Sequence, residues 1–552
     1  MHTQISKIEA QSLTGWDRWA DGLAIGLLLI VALIALLTFR DYGLGWDDLT
    51  HSQYGALLLS FYGSGFRDTR AFSFVNLYMY GGGFDMAAAL LAKLLPFDLF
   101  ETRRLLGVAV GLVGLLAVWR LARRIGGPVA GLIALALLAT CPLYYGHMFI
   151  NPKDAPFAVM MAITLLGMVR AIEEYPQPQP STVLLLGLGL GLAIGSRIMG
   201  GFAVLYALVA LAFIFVVEFR NQTPRRALIR VWGFLRAIWS SVVVAVVTMA
   251  IVWPWSVQSP LNLLRTVAYF SHFFEKPWRE LFAGELILAP DMPRAYVPTL
   301  LGLTLPELLL ALSVAGLIGA IVLTLRGDVP VRRRAVYLVI ALAAALPIAV
   351  AVVTKPAMYN GIRHFVFLAP PIAVLGGLAG GYLLVRVRTY GSAAGVAACA
   401  VLFAGLAAPA VEMVRLHPYQ YVYFNAYAGG VPGAKNRFML DYWGLSFKQA
   451  AQDLLAHLAT QKLKPPTGRH WKVAVCGPHP PAAIALGDQF ELGWDPKGAD
   501  FAMMLGEFYC AKLDAPIVAE ETREGIMFAR VYDIRGRTFP SLFTYPPVES
   551  AN

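Results

Sequence analysis

Two short stretches of this sequence put acids and cations where the chain leaves long apolar runs. In GLGWDDLTHSQYG (43–55) the adjacent carboxylates Asp47 and Asp48 follow such a run directly. In NPKDAPF (151–157) the pairs Asn151-Pro152 and Ala155-Pro156 set a turn that holds Lys153 and Asp154. Arg197 sits in GSRIMGG (195–201), and Arg363 and His364 sit in YNGIRHF (359–365), each at the end of another apolar run. A carboxylate at such a position can serve as a general base toward a hydroxyl or an amine. Two carboxylates side by side near a lipid surface also favour a raised pKa. Lysine and arginine hold phosphate through charge-assisted hydrogen bonds.

Each residue also has a plainer use. Asp47 or Asp48 can cap an interfacial helix, and Asp154 can cap the helix that Pro156 opens. Arg197 can extend its side chain to lipid headgroups. Lys153 has no capping use at a helix N-terminus, so it reads as an anion contact. Taken together, two carboxylate sites, one lysine and two arginines fit a transferase whose donor is a sugar on a lipid phosphate, with the phosphate as leaving group.

The elements that must position these residues are membrane helices. Of 552 residues, 58% are hydrophobic and only 14% are charged, against about 25% charged in a soluble domain. The mean hydropathy is +0.62. Apolar runs near 22–39, 105–122, 128–149, 156–171, 181–196, 199–218, 235–255, 299–325, 335–353, 364–385 and 391–411 predict about eleven spans. The first is read as an uncleaved span, since no small-residue cleavage signal follows it. The net charge of +11 does not point to nucleic acid, because the basic residues lie in short clusters between apolar runs.

Those clusters are RLARR (120–124), RNQTPRRALIR (220–230), RGDVPVRRR (326–334) and RVR (386–388), on alternate sides of successive spans. They share the cytoplasmic side, together with the N-terminus, and an odd number of spans puts the C-terminus outside. The opposite face receives the Asp-Asp segment, NPKDAPF, GSRIMGG, the 256–298 loop and YNGIRHF. In its first loop, SQYGALLLSFYGSGF and FDMAAALLAKLLPFDLF read as helices lying in the interface.

After the membrane domain (1–430) the character changes. Residues 431–552 read as an extracytoplasmic α/β domain. SFKQAAQDLLAHLATQ (446–461) is a helix with Ser446 and Gln449 as a capping box, WKVAVCG, FAMMLG and GIMFARVYDI are strands, and PPAAIAL is a short helix. Cys141 and Cys399 lie in apolar runs and read as packed residues. Cys476 and Cys510 are the two candidates for a disulfide in an oxidising compartment.

With Asp-Asp after the first span, HSQYG behind it and NPKDAPF in the second outer loop, the chain resembles the GT-C glycosyltransferases. More narrowly it resembles bacterial relatives of dolichyl-phosphate-mannose protein mannosyltransferase and aminoarabinose lipid A transferase. LFAGELILAPDMPRAYVP (281–298), YNGIRHFVFLAPP (359–371) and HPYQYVYFNAYAGG (417–430) carry the resemblance onward, over roughly the first 430 residues. It implies an inverting transfer of a sugar from a polyprenyl-phosphate donor on the periplasmic face of a bacterial inner membrane. Asp47 would be the base, Asp48 would stand where the family has Glu, and Asp154 would be the second-loop acid. Lys153, Arg197, Arg363 and His364 would contact the donor, with His51 and Tyr54 of HSQYG beside them. The 256–298 loop is too short for the sugar-binding insertion of the eukaryotic enzymes, and the acceptor (lipid, glycan or protein) is left open. No cofactor is implied for certain: family members differ on a divalent metal, and no His/Cys ligand cluster argues for one. The competing classes are a transporter or lipid flippase, which would need polar groups at mid-span and inverted repeats, and a non-catalytic scaffold of the same fold.

Overall fold

The computed structural model describes residues 15–221, 223–271 and 278–545. Its first helix, α1 (Gly15–Thr38), is the first span. The 43–98 segment then folds into α2 (Asp48–Gly63) and α3 (Gly83–Leu91), both too short to span, as their interrupted apolar pattern predicts. α4 (Leu99–Gly126) starts at Asp98, whose carboxylate accepts the N–H groups of Phe100 and Glu101, and stops at Gly127 with φ 87°. α5 (Pro128–Ala139) and α6 (Pro142–Ile150) follow, then α7 (Asp154–Glu173) and α8 (Pro180–Ser196).

Among the described residues nine helices are long and apolar enough to cross a membrane, and α5 with α6 makes ten if that pair, bent by 61°, is one span. The chain is a multi-pass membrane protein. The eleventh expected span is α8, apolar but only 17 residues long. The bend between α5 and α6 lies at Pro142, whose ring and missing N–H disfavour continuing the helix through it. The expected span 299–325 is likewise split, into Tyr296–Thr304 and Glu307–Leu325. Leu305, before Pro306, is extended (φ −93°, ψ 142°), as a residue preceding proline tends to be. α7 is the most enclosed span, packed against α4 and α8. At Gly167 of α7 a Cβ would meet Leu186 of α8 at 2.8 Å, so the missing side chain is what lets these two helices approach.

The 256–298 loop contains a hairpin that its sequence does not advertise. β1 (Arg279–Phe282) pairs with β2 (Glu285–Leu288) across Ala283 and Gly284, both at positive φ (54° and 90°), the conformation of a tight two-residue hairpin turn. The hairpin bridges to Phe438, in the segment leading to the C-terminal domain.

That domain holds a five-stranded mixed sheet. β3 (Trp471–Cys476), β4 (Phe490–Gly493), β5 (Phe501–Leu505), β6 (Ile517–Arg523) and β7 (Ile526–Asp533) are ordered β4-β3-β5-β7-β6. β3 is parallel to β4 and β5, and β7 is antiparallel to β5 and β6. Helix Phe447–Thr460 and helix His479–Leu486 fall where expected. The capping box does not form: the Ser446 hydroxyl donates to Asp441 instead, and Gln449 donates to the carbonyl of Asp41 at 2.8 Å. The Asp441 carboxylate, which also accepts the N–H groups of Leu445 and Ser446 at 3.0 Å, outcompetes the helix for that hydroxyl. Cys476 and Cys510 are joined as a disulfide, while Cys141 is free and buried and Cys399 free and exposed.

Candidate active site

The turn from α1 into α2 is shaped by close packing. A Cβ at Gly43 would meet the Leu445 carbonyl at 2.1 Å, so only glycine lets the chain pass beneath the C-terminal domain. The turn then separates the two carboxylates. Asp48, the first residue of α2, is 2% exposed. Its Oδ2 accepts the Gly45 N–H at 2.8 Å, and Arg104 of α4 grips both oxygens, at 2.6 and 3.1 Å. Arg103 adds Nε at 3.7 Å and reaches with Nη2 to Asp85 of α3 at 2.7 Å. Asp85 also meets His51 Nδ1 at 2.7 Å. Burial pushes the Asp48 carboxyl up, but Arg104 and Arg103 outweigh it and hold it below the usual carboxylate range. The raised value expected for an Asp-Asp pair is therefore not found at Asp48, because its closest charges are guanidinium groups. Asp85 is likewise held low against burial by His51 and Arg103. This network ties α2, α3 and α4 together.

Asp47 occupies the position before α2 but its side chain makes no capping hydrogen bond. It is about one-third exposed, and its Oδ2 lies 4.0 Å from Arg363 Nη1.

The NPKD turn has its own cap. The Asn151 side chain accepts the N–H groups of Lys153 (3.1 Å) and Asp154 (2.7 Å) and donates to Asp154 Oδ2 at 2.9 Å. Capping α7 thus falls to Asn151, which leaves the Asp154 carboxylate for other partners. These are Arg197 Nη2 at 2.5 Å from Oδ1 and Arg363 Nη1 at 3.5 Å from Oδ2. Arg197 is 7% exposed and Arg363 3% exposed, so neither lies out along the lipid surface. The Nε atoms of both are buried without a partner. Lys153 has no carboxylate within 4.0 Å among the described residues; its Nζ sits 4.3 Å from the centre of the Tyr80 ring, and Arg197 lies 5.8 Å from the same ring. Burial, then Arg197 and Arg363, pull the Lys153 ammonium down to about 8 against the attraction of Asp47 and Asp154. Arg363 also lies over Tyr359 (5.0 Å) and Trp443 (5.3 Å), and His364 meets Tyr359 edge-on at 5.1 Å.

The structure thus brings Asp47, Lys153, Asp154, Arg197, Arg363 and His364 to one end of the helix bundle. Three permanent or near-permanent cations face two carboxylates, which leaves the site net positive. Asp48 and His51 lie behind it in the buried network. Tyr54 is 1% exposed and donates to the Tyr80 carbonyl at 3.2 Å, so it supports the segment carrying the Tyr80 ring. Sequence reasoning passed over Tyr80, Asp85, Arg103, Arg104 and Trp443. Arg103 and Arg104 did leave a signal: two adjacent arginines at the end of a span away from the other basic clusters. Among the described residues no three His, Cys, Asp or Glu side chains gather as a metal site.

The opposite end of the bundle carries a separate set of polar contacts. Arg123 pairs with Asp21 at 2.6 Å, Arg230 with Glu218 at 3.1 Å, and Arg333 donates to the Ile125 carbonyl at 2.7 Å.

These features define a polytopic helical membrane protein with an acid–cation site at one end and a sheet domain packed over it. Residues 84–255, under a third of the chain, match the family model described as dolichyl-phosphate-mannose-protein mannosyltransferase, so this segment is similar to that glycosyltransferase family. The matched segment holds Lys153, Asp154 and Arg197 and begins after Asp47. No curated protein matches the sequence. Among solved structures, the ArnT of Cupriavidus metallidurans in the apo state is similar at 17% identity, over 94% of this chain and 98% of that one, with a TM-score of 0.47. The same protein bound to undecaprenyl phosphate gives 16% identity, 96% and 100% coverage and 0.47. The oligosaccharyltransferase of Archaeoglobus fulgidus in the apo form gives 13% identity, 86% and 65% coverage and 0.47.

Proposed function

We propose that this protein is an inverting glycosyltransferase that moves a sugar from a polyprenyl-phosphate donor to an acceptor. The observation that carries the reading is the company Asp47 keeps: a carboxylate one-third exposed and without a capping bond, 4.0 Å from Arg363, in a site shared with Lys153 and Arg197. The donor phosphate takes Lys153, Arg197 and Arg363, while Asp154 holds the two arginines in place. The unpartnered Nε atoms of Arg197 and Arg363 are donors in reserve for phosphate oxygens. Asp47 takes the proton from the acceptor hydroxyl or amine as that atom attacks the anomeric carbon. The bond from that carbon to the phosphate oxygen breaks, and its electron pair leaves on the polyprenyl phosphate, whose negative charge the three cations stabilise. Attack opposite the leaving phosphate inverts the anomeric centre. Asp48 acts in this scheme by fixing the start of α2, and His364 lies at the edge of the phosphate site.

The site belongs on the periplasmic side of a bacterial inner membrane, with the N-terminus in the cytoplasm and the C-terminal domain outside. Two features support this. The arginine clusters lie at the far end of the bundle, and the Cys476–Cys510 bond suits an oxidising compartment.

The test is direct. Purified protein in lipid is incubated with labelled polyprenyl-phosphate sugars and candidate lipid, glycan and protein acceptors. Acceptor-dependent release of the polyprenyl phosphate supports the reading. Absence of release and of sugar transfer across a full donor and acceptor panel overturns it.

A further inference from the structure

Arg363 reaches the site through an unusual piece of chain. Helix Val331–Thr354 ends at Lys355, in the left-handed region (φ 49°), and residues 355–362 then run without regular structure to Arg363. Asn360 and Gly361, just before it, both have positive φ (56° and 64°). Asparagine and glycine are the residues that take that region most readily, so the turn itself is unstrained; what the turn alone does not fix is where the irregular strap lies against the rest of the protein.

That placement comes from the hairpin loop, some 80 residues earlier. Glu280 of β1 accepts the Gly361 N–H on Oε1 at 3.2 Å. The Tyr296 hydroxyl lies 3.1 Å from the Gly361 carbonyl and 3.3 Å from Glu280 Oε1, so its single proton serves either. The Met358 N–H donates to the Ala289 carbonyl at 3.3 Å. Tyr442 closes the far side: a Cβ on Gly361 would meet its ring at 3.2 Å. The hairpin tip holds the second approach to Arg363 as well. The Gly284 N–H donates to the Arg437 carbonyl at 3.0 Å, in the segment that carries Trp443 onto the guanidinium.

Glu280 is a costly choice for this position. It is 1% exposed, has no cation within 4.0 Å among the described residues, and its Oε2 is buried without a protein donor. A cavity of about 20 Å³, room for one water molecule, adjoins it. A fold that needed only packing here would be served better by an apolar side chain, since burying an acid with no cation beside it is costly even when it is hydrogen-bonded.

We infer that Glu280 and Tyr296 are positioning residues of the donor site: they lock the 355–362 strap and so fix where Arg363 presents its guanidinium to the donor phosphate. The inference rests on the reading of Arg363 as a phosphate contact. The lock itself is a statement about the strap and can fail separately.

Two measurements on the full-length protein separate these. The first is hydrogen exchange of peptides covering 355–368 in wild type, Glu280→Ala and Glu280→Gln. Faster exchange there in Glu280→Ala, with the transmembrane peptides unchanged and recovery in Glu280→Gln, is the expected result. Unchanged exchange in Glu280→Ala overturns the lock whatever the ligand. The second is binding of undecaprenyl phosphate to wild type, Glu280→Ala, Tyr296→Phe, Arg363→Ala and the Glu280→Ala/Arg363→Ala double variant. Glu280→Ala should weaken binding about tenfold and Glu280→Gln should restore it. The double variant should bind no worse than Arg363→Ala alone, because both changes remove one interaction. Additive losses overturn the inference that Glu280 acts through Arg363. Wild type that does not bind the lipid phosphate, with the strap still loosened by Glu280→Ala, overturns the donor reading and leaves the lock standing.

Discussion

Asp47 and Asp48 are consecutive residues in opposite circumstances: Arg104 grips the buried Asp48 at 2.6 Å, while Asp47 is one-third exposed and stands 4.0 Å from Arg363. One carboxylate is committed to the fold and the other is available to a substrate. The division comes from the Gly43–Gly45 turn, which aims the first residue of α2 inward at α4 and leaves the preceding one at the mouth of the site.

Asp48→Asn should therefore act on stability. It leaves Arg104 and part of Arg103 buried without their anion, and breaking a buried pair in this way costs about 3–5 kcal/mol. Thermal unfolding in detergent should show a large loss, and the material that does fold should bind the lipid phosphate normally. An Asp48→Asn protein of wild-type stability would contradict the role assigned to the network.

Arg197→Ala should lower affinity for polyprenyl phosphate by about tenfold or more, since a charge-assisted hydrogen bond contributes roughly 1.5–3 kcal/mol. Asp154 keeps Arg363 as a partner in this variant, so the protein should remain folded. Equilibrium binding checks it. Unchanged affinity in a folded variant would reduce Arg197 to a counter-ion for Asp154.

Lys153 offers a pH signature. Its ammonium is pulled down to about 8 from the ordinary lysine value. Donor binding needs the charged form, so affinity should fall as pH rises through about 8. The stability effect has the opposite sign. Above pH 8 the folded protein sheds a proton that the unfolded chain keeps until about 10.5, so this group's contribution to stability rises with pH over that window. Lys153→Arg, which stays charged, should remove the fall in affinity. Lipid-phosphate binding measured from pH 6.5 to 9.5 in both proteins tests this; parallel curves would refute it.

How much of this was open to sequence reading depends on the kind of feature. Long apolar runs announced the spans, because a membrane helix must be apolar through its whole length. The breaks at Pro142 and Pro306 went unread, since each proline lies within an apolar run that is long enough to span unbroken. The split between Asp47 and Asp48 was illegible, since it is decided by Arg103 and Arg104, which lie far along the chain and look like the polar edge of a span. Asn151 supplanting Asp154 as the cap of α7 was equally hidden, because Asn and Asp cap helices equally well. Glu280 sits inside RELFAGELIL, where an acid beside an arginine reads as surface, and only the tertiary fold buries it. In the C-terminal domain β3, β5 and β7 were visible as apolar runs. β4 is too short to stand out, and β6 is an edge strand whose Glu520, Glu521 and Arg523 mask its alternation.

The junction of the C-terminal domain should respond to pH through Glu507. Its Oε1 accepts the Leu440 N–H at 3.0 Å, and the side chain is buried. Burial, together with the charges of Asp441 and Glu280, pushes the carboxyl up to about 8 despite that hydrogen bond. A raised folded-state pKa means the folded protein holds the proton more tightly than the unfolded chain. The stabilisation is complete below about pH 4.5 and is lost as pH rises to about 8, at up to about 1.4 kcal/mol per pH unit. Glu280, pushed up to about 7 by burial, adds with the same sign. Glu507→Gln should flatten the pH dependence of unfolding above pH 5 and raise stability at pH 8. A variant that tracks wild type across pH 5–8 would rule the residue out.

The sharpest test of the reaction lies with Asp47. A sugar–phosphate bond on a lipid carrier is held at headgroup depth, so the base must stand at the end of a span, beside the cations that take the phosphate. Asp47 meets both conditions, following α1 closely and lying next to Arg363. Asp47→Asn keeps the side chain's size and its hydrogen-bonding capacity but cannot take a proton. Turnover should fall by about 10²–10⁴, the usual contribution of a positioned base. Affinity for polyprenyl phosphate should change little, or rise slightly as a negative charge leaves the neighbourhood of Lys153 and Arg363. Unfolding should be unaffected, because the side chain makes no capping bond. Asp154→Asn should behave differently: it loosens Arg197 and Arg363 together, so donor affinity and turnover should both drop. If Asp47→Asn keeps full turnover while Asp154→Asn loses turnover with donor affinity intact, the base is in the NPKD turn. If both keep full turnover, the acid–base step is not carried by this site.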